Sequence, residues 1–156
     1  MNATAVAVYS ITSKIFRPIV ILVNIIIRPL WPAFTEAKAK NDWAWVKFAF
    51  LLSLGIGTVL SVILGLPIYI WGEQIIHYWS KTEIEIPVML LSGFYMMTIA
   101  TSIKYPLINF LNGMNRLKTQ LIYQAVFTVV GFFLKVWLGK KYGSSGVIWG
   151  AVLATF

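Results

Sequence analysis

The stretch FAFLLSLGIGTVLSVILGLPIYIW, residues 48–71, contains no charged residue and decides the fold class. A helix of about 20 apolar residues crosses the hydrocarbon core of a bilayer, and this stretch is longer. Asp42 is placed to cap the start of such a helix, and tryptophans on both sides are typical of a membrane interface. Small residues at every fourth position, Ser53, Gly57 and Ser61, let a second helix approach closely. Residues 48–71 therefore predict a packed transmembrane helix.

Four further apolar stretches predict an all-α, polytopic transmembrane helix bundle with about five spans. These other spans cover residues 3–34, 86–113, 119–138 and 144–156. The first of them contains Pro18 and Pro29, and each proline is expected to bend the helix. Residues 71–87 fit either a short helix at the outer interface or an ordinary loop, and residues 143–146 predict a turn between helices.

The composition agrees with a membrane location. Hydrophobic residues make up 59% of the 156 residues and charged residues 12%, against about 45–50% and about 25% in soluble domains. The net charge of +8 would suit nucleic acid in a soluble protein. Here the cations are scattered among apolar stretches, so no nucleic-acid partner is predicted. With no cysteine and one histidine, neither a disulfide, a metal site nor a cofactor is predicted.

Loop charges predict the orientation, because cytoplasmic loops are enriched in Lys and Arg. One side of the predicted bundle carries Lys38, Lys40, Lys47, Arg116 and Lys118, whereas the other carries Lys81, Lys140 and Lys141. The first side is therefore expected to be cytoplasmic.

Polar residues within the predicted spans are the candidate functional residues. An unpaired Lys or Arg at the centre of a membrane helix costs about 2.5–3.5 kcal/mol, so such a residue normally faces a bundle interior or a wet cavity. At about 100° per residue, the polar residues of the first span fall within an arc of about 80°. They are Ser10, Lys14, Arg17, Asn24 and Arg28. A similar arc on residues 119–138 contains Gln120, Gln124, Thr128, Gly131 and Lys135. Lys104 clusters more loosely with Thr101, Tyr105 and Asn112. Polar faces on several helices predict a shared polar interior.

Simpler roles compete for some of these residues. Arg28 and Lys135 each lie close before a tryptophan and are well placed to snorkel to an interface. Gln120 and Gln124 are equally suited to hydrogen bonds between helices. Lys14, Arg17 and Lys104 are the predicted substrate-binding residues of a cationic cavity. Its predicted lining comprises Ser10, Asn24, Arg28, Gln120, Gln124 and Lys135.

The sign of the charges indicates the cargo. No Asp or Glu lies within any predicted span, whereas an exporter of organic cations needs intramembrane acids. A cationic lining complements phosphate or diphosphate, so an anionic cargo is expected. No catalytic residue is proposed, because the sequence has no phosphate-cradling glycine loop and no nucleophile set that its one histidine supports. An enzyme is therefore not predicted.

Several motifs resemble those of the polysaccharide and O-antigen flippases, members of the multidrug/oligosaccharidyl-lipid/polysaccharide exporter superfamily. WPAFTEAKAKND, residues 31–42, resembles their P-x-(S/T)-E-A loop and the helix start after it. YSITSKI, residues 9–15, is similar to a Y-x-I-x-x-K/R run. FLNGMN, residues 110–115, with Gln120 after it, is similar to a later cytoplasmic turn, and residues 143–150 to the small-residue entry of the next helix. The likeness covers essentially the whole chain, in order.

The resemblance implies a fold and a function. Members of this family have two lobes, and residues 1–156 are expected to form a single incomplete lobe, part of the second. The missing N-terminal lobe or a partner half would complete the transporter. The implied function is flipping of an undecaprenyl-diphosphate-linked oligosaccharide across the bacterial cytoplasmic (inner) membrane by alternating access. The implied partners are this lipid-linked oligosaccharide, through its diphosphate headgroup, and the membrane lipids.

Two other functions stay open. One is a small-molecule or multidrug exporter of the same superfamily. The other is a non-transporting membrane scaffold in glycan synthesis, which would need no cationic cavity.

Overall fold

The computed structural model describes residues 3–80 and 85–155, which form helices joined by short turns. The helices are α1 (Ala3–Ile27), α2 (Leu30–Ala39), α3 (Trp43–Ser80), α4 (Val88–Gly113) and α5 (Leu117–Leu153). Within these described ranges there is no strand. The prediction of an all-α helix bundle is confirmed.

Three segments of the described chain are long and apolar enough to cross a membrane. They are Ala5–Ala39, which combines α1 and α2, then Trp43–Tyr78 and Leu117–Leu153. Helix α4 has 26 residues and is long enough to cross as well, but it does not belong to this set. The count of about five spans therefore stays a prediction.

Proline sets the boundary between α1 and α2. Helix α1 ends at Ile27, and α2 begins at Leu30 after the turn at Arg28 and Pro29. Proline lacks the N–H that would continue the helical hydrogen bonds, and its ring clashes with the preceding turn. Pro18, in contrast, lies inside α1 without ending it. The predicted span 3–34 is thus two helices, the second of which extends to Ala39.

Helix α3 is longer than the predicted span 48–71. The side chain of Asp42 accepts a hydrogen bond of 3.0 Å from the backbone N–H of Trp45, which confirms the predicted cap. The helix then continues to Ser80, so residues 71–80 form neither a separate interfacial helix nor a loop. Its 38 residues rise about 57 Å, more than the roughly 30 Å of a hydrocarbon core. Residues 81–84 lie outside the described ranges.

Helix α4 is the centre of the bundle, since it packs against each of the other four helices. Ser53 and Ser61 of α3 are buried. A Cβ atom added to Gly57 would lie 2.9 Å from the backbone oxygen of Ser102 in α4. The close helix approach predicted from this small-residue spacing is confirmed.

Helix α5 is a hairpin that reverses at Gly143. The backbone angles there, φ 62° and ψ −139°, are not helical and favour glycine. After this turn Gly146 contacts the backbone of Leu138, and a Cβ atom on Gly150 would lie 2.7 Å from the backbone nitrogen of Lys135. Residues 117–142 and 144–153 are called the first and second arms of α5. They correspond to the predicted spans 119–138 and 144–156, and the predicted turn lies at Gly143, since residues 144–146 are already helical.

Candidate anion-binding site

Helix α1 carries its packing residues and its polar residues on different faces. The buried face comprises Val8, Thr12, Phe16, Ile19, Val23 and Ile27. The polar stripe comprises Ser10, Lys14 and Arg17, all exposed, and the half-buried Asn24, and the exposed Arg28 follows it in the turn after α1. At 100° per residue the two faces point about 145° apart. The polar stripe therefore turns away from the described bundle, and its residues do not meet in the interior of this chain.

The exposed cations Lys14 and Arg17 lie far from both ends of α1, which indicates what surrounds this face of the helix. Lys14 and Arg17 lie near the middle of the helix, more than ten residues from Ala3 and about ten from Ile27. At 1.5 Å per residue each is about 15 Å or more from either end of α1. Charges so far from a helix end are costly against lipid. The stripe thus indicates the side of the bundle that meets water or further protein within the membrane.

Arg17 borders a shallow recess between α1 and α4, called the Arg17 recess. Its volume is about 160 Å³, and Ser13, Thr98 and Thr101 contribute polar groups to its lining. The apolar part of the lining includes Phe16 and Phe94. Phe94 belongs to the hydrophobic core, so the floor of the recess is rigidly packed.

Lys104 lines a larger cavity of about 390 Å³, called the α4–α5 cavity. Gln120 and Gln124 of the first arm of α5 line it as well. Thr155 adds a hydroxyl group, and the other lining residues are apolar apart from the hydroxyl of Tyr123. The structure thus brings together three of the predicted site residues, Lys104, Gln120 and Gln124.

The Arg17 recess and the α4–α5 cavity adjoin along α4. Thr101 lines the first and Lys104 the second. Residues three apart on a helix are neighbours on its surface. Arg17 and Lys104 therefore border adjacent depressions on one side of α4, while Lys14 lies one turn before Arg17 on the exposed face of α1.

Four predicted lining residues lie outside both depressions. Ser10 and Asn24 belong to the stripe on α1, and Arg28 forms the turn before α2. Lys135 is exposed on the first arm of α5. Ser13, Thr98 and Thr155 were absent from the predicted site. Thr155 lies just after the second arm of α5, where no periodic polar pattern singles it out.

The charged groups of the site have no ionic partners among the residues that the structure describes. The one ion pair in residues 3–80 and 85–155 joins Lys40 to Glu36 at 2.7 Å, and both side chains are exposed. The same residues hold no group of three His, Cys, Asp or Glu side chains suited to a metal ion. Lys14, Arg17 and Lys104 are therefore uncompensated positive charges, and they attract anions.

The flippase-like loop motif, residues 31–42, forms α2 and its flanks and is docked on the end of α4. Phe34 is completely buried and packs against Gly113. The hydroxyl of Thr35 donates a hydrogen bond of 3.4 Å to the carbonyl oxygen of Gly113. The ammonium of Lys38 donates one of 2.9 Å to the carbonyl oxygen of Met114. The motif thus ties the turn after α1 to the turn before α5.

The MatE family model matches residues 1–137. The chain belongs to the MatE family. The superfamily predicted from the motifs is thereby confirmed, and together with the apolar helices the family makes this a multi-pass membrane protein. The assignment to the second lobe stays a prediction.

Two curated relatives carry the name "Putative O-antigen transporter". The one from Salmonella typhimurium is 25% identical over 149 residues, which cover 94% of this chain and 34% of the relative. The one from Salmonella typhi is 24% identical over 158 residues, which cover 99% of this chain and 36% of the relative. The chain thus spans about a third of the length of these relatives. No solved structure gives a significant match.

Proposed function

We propose that this chain is part of a transporter that flips an undecaprenyl-diphosphate-linked oligosaccharide across the bacterial cytoplasmic membrane. The observation that carries the proposal is the cationic stripe of α1, which points away from the packed bundle near the middle of the helix. A cationic face of this kind is suited to line a water-filled chamber between this lobe and the remainder of the transporter. Relatives named for O-antigen transport support the same cargo class.

The charges match a diphosphate. Lys14 and Arg17 lie three residues apart on the stripe, and Lys104 borders the adjoining cavity. Lysine and arginine bind phosphate oxygens through charge-assisted hydrogen bonds, which are stronger than neutral ones. The three residues would hold the diphosphate and sugar headgroup while the lipid tail stays in the bilayer. Rocking of the lobes would expose the headgroup first to one side and then to the other.

The absence of acids from the site separates this proposal from export of organic cations. Of the five acidic residues in the sequence, none lines the Arg17 recess or the α4–α5 cavity as described. Glu36, in α2, is exposed and paired with Lys40. A carrier of cations needs a buried carboxylate, because a cationic wall repels its cargo. No step of the proposed cycle makes or breaks a covalent bond, so the protein acts as a transporter without enzymatic chemistry.

The test replaces Lys14 and Arg17 together by Gln in the intact protein that carries this chain. We expect polymer export to be lost, because two of the three charges facing the diphosphate are gone. A matched control replaces Lys47 and Lys118, which are exposed cations outside both depressions, and should export normally. Membrane levels of both variants are measured by immunoblot.

Normal polymer export by the Lys14/Arg17 double variant would refute the proposal and favour a scaffold, which needs no cationic cavity. Drug resistance conferred by the unmodified protein, without polymer export, would favour a small-molecule exporter.

A further inference from the structure

The α4–α5 cavity combines an apolar wall with a polar end. Ile103, Leu107 and Ile108 of α4 face Tyr123 and Phe127 of α5 across it. Lys104, Gln120 and Gln124 supply the ammonium and two amide groups. A cavity of this composition suits a ligand with an anionic head and an apolar chain. A fully polar ligand would leave most of the wall unmatched.

The polar end contains groups without partners in the described chain. The side-chain oxygen of Gln120 is buried and has no hydrogen-bond partner there. Lys104 is half-buried and forms neither an ion pair nor a hydrogen bond with a described residue. Buried polar groups are nearly always paired, so an unpaired one needs an explanation such as an unseen ligand. An amide and an ammonium together bind the oxygen atoms and hydroxyl groups of a phosphate linked to a sugar.

The mouth of the cavity opens on an apolar surface. Leu107, Tyr123 and Gln124 are exposed at its edge. On the side of Tyr123, the surface of α5 exposes Ile122, Val126, Val129, Val130 and Phe133. Such a face is suited to contact with lipid, because apolar side chains cost nothing there and water is absent. A ligand that enters through this mouth arrives from the bilayer.

We infer that the α4–α5 cavity binds a polyprenyl diphosphate at the point where its isoprenoid chain joins the diphosphate. The phosphate is bound by Lys104, and the first isoprenoid units pack against Leu107, Ile108 and Phe127. Gln120 and Gln124 bind the remaining oxygen atoms of the head. The volume of 390 Å³ is at the small end of ligand pockets. It accommodates the start of one apolar chain beside a phosphate better than the two chains of a phospholipid. This inference rests on the proposed function, of which it specifies one binding subsite.

The test is photo-crosslinking in the intact protein, reconstituted in phosphatidylcholine nanodiscs. The probe is undecaprenyl diphosphate with a diazirine on an isoprenoid unit next to the diphosphate. Mass spectrometry should find the label within residues 103–111 and 120–127. Lys104→Gln should lower labelling at least about tenfold, because it removes a charge-assisted hydrogen bond. Lys104→Arg should retain it.

Two further variants separate binding from structure. Lys118→Gln removes an exposed charge two residues before Gln120, on another face of α5, and should label normally. Gln120→Leu should label less than the unmodified protein while its thermal unfolding temperature stays the same or rises. If Gln120 served only to hydrogen-bond one helix to another, the Gln120→Leu variant would have a lower unfolding temperature, and its folded fraction would be labelled as strongly as the unmodified protein.

Competition identifies the ligand. Unlabelled undecaprenyl diphosphate should suppress the label, whereas equal amounts of phosphatidylglycerol or inorganic pyrophosphate should not. Suppression by phosphatidylglycerol would overturn the inference in favour of a bulk-lipid site, and suppression by pyrophosphate in favour of a free-anion site. Labelling unchanged in Lys104→Gln, or located outside α4 and α5, would also overturn it.

The inference and the proposed function fail separately. Polymer export without any label in the cavity removes the inference alone. A labelled cavity in an intact protein that exports no polymer removes the proposed function, and the cavity remains a polyprenyl diphosphate site.

Discussion

Single side chains from α2 complete the end of α4. The last carbonyl groups of a helix have no donors within the helix, and they form its negative pole. The ammonium of Lys38 donates to Met114 immediately after α4. Lys38 is half-buried at this contact, whereas Lys40, just after α2, is exposed and forms its ion pair with Glu36 of α2. The two lysines of the motif therefore have different roles.

Replacing Lys38 by Met should destabilise the fold by about 1 kcal/mol, because it leaves a helix-end carbonyl without its charged donor. The same change at Lys40 should have little effect, since an exposed ion pair contributes little. The thermal unfolding temperature of the intact protein in detergent measures both. Equal unfolding temperatures for the two variants would show that the contact between Lys38 and Met114 does not hold α2 in place.

At the scale of helices, the packing depends on small residues at chosen positions. Gly57 lies under the backbone of α4, whereas Gly55, on another face of α3, has no atom within 4 Å of an added Cβ. The two glycines differ by only two positions. Alanine substitutions at the two positions therefore distinguish the effect of helix packing on stability from that of helix propensity.

Gly57→Ala should destabilise the protein by about 1–3 kcal/mol, because the new methyl group forces α3 and α4 apart. Gly55→Ala should be neutral or slightly stabilising, since alanine is the better helix former. Thermal unfolding of the two variants, measured side by side, checks this difference. A stable Gly57→Ala variant would mean that α3 and α4 are not in direct contact at Ser102.

Hydropathy predicts the existence of the helices better than their ends. Residues 48–71 are apolar enough to be recognised, but α3 continues through polar residues such as Glu73 and His77 to Ser80. Its extension is held by Ile76, which is almost completely buried. Gly72, one turn earlier, is buried as well, and a Cβ atom added there would lie 2.9 Å from the side chain of Leu91 in α4. The end of α3 therefore depends on packing with other helices, which the local sequence does not encode.

For the whole molecule, periodicity predicts the polar stripe of α1 but not its direction. In a membrane protein the packed face and the lipid-facing side are both apolar, so Val23 and Leu22 look alike in the sequence although only Val23 is buried. The sequence predicts Lys104 as a substrate-binding residue beside Lys14 and Arg17, and Gln120 and Gln124 as lining of the same cavity. That α4 and α5 bring Lys104 and the two glutamines into one cavity follows only from the packing.

The direction of the stripe predicts where water reaches the transporter. The chain contains no cysteine, so introduced thiols report on single positions once any cysteines elsewhere in the intact protein are removed. Asn24 belongs to the stripe, while Leu22 is an exposed apolar residue on another face of α1. The two differ by about 3 Å in height along the helix. Cysteines at these two positions therefore compare the access of a reagent to two faces of α1 at nearly the same depth in the membrane.

Asn24→Cys and Ser10→Cys should react with a charged, membrane-impermeant maleimide in the intact protein, because the reaction needs a thiolate in contact with water. Leu22→Cys should resist the reagent, since lipid surrounds it. Addition of undecaprenyl diphosphate-linked oligosaccharide should slow the reaction at the stripe alone. If Leu22→Cys reacted as fast as Asn24→Cys, water would reach both faces of α1 equally, and the polar stripe would not line a separate water-filled chamber. Lys14 and Arg17 would then need another explanation for charges held so deep in the membrane.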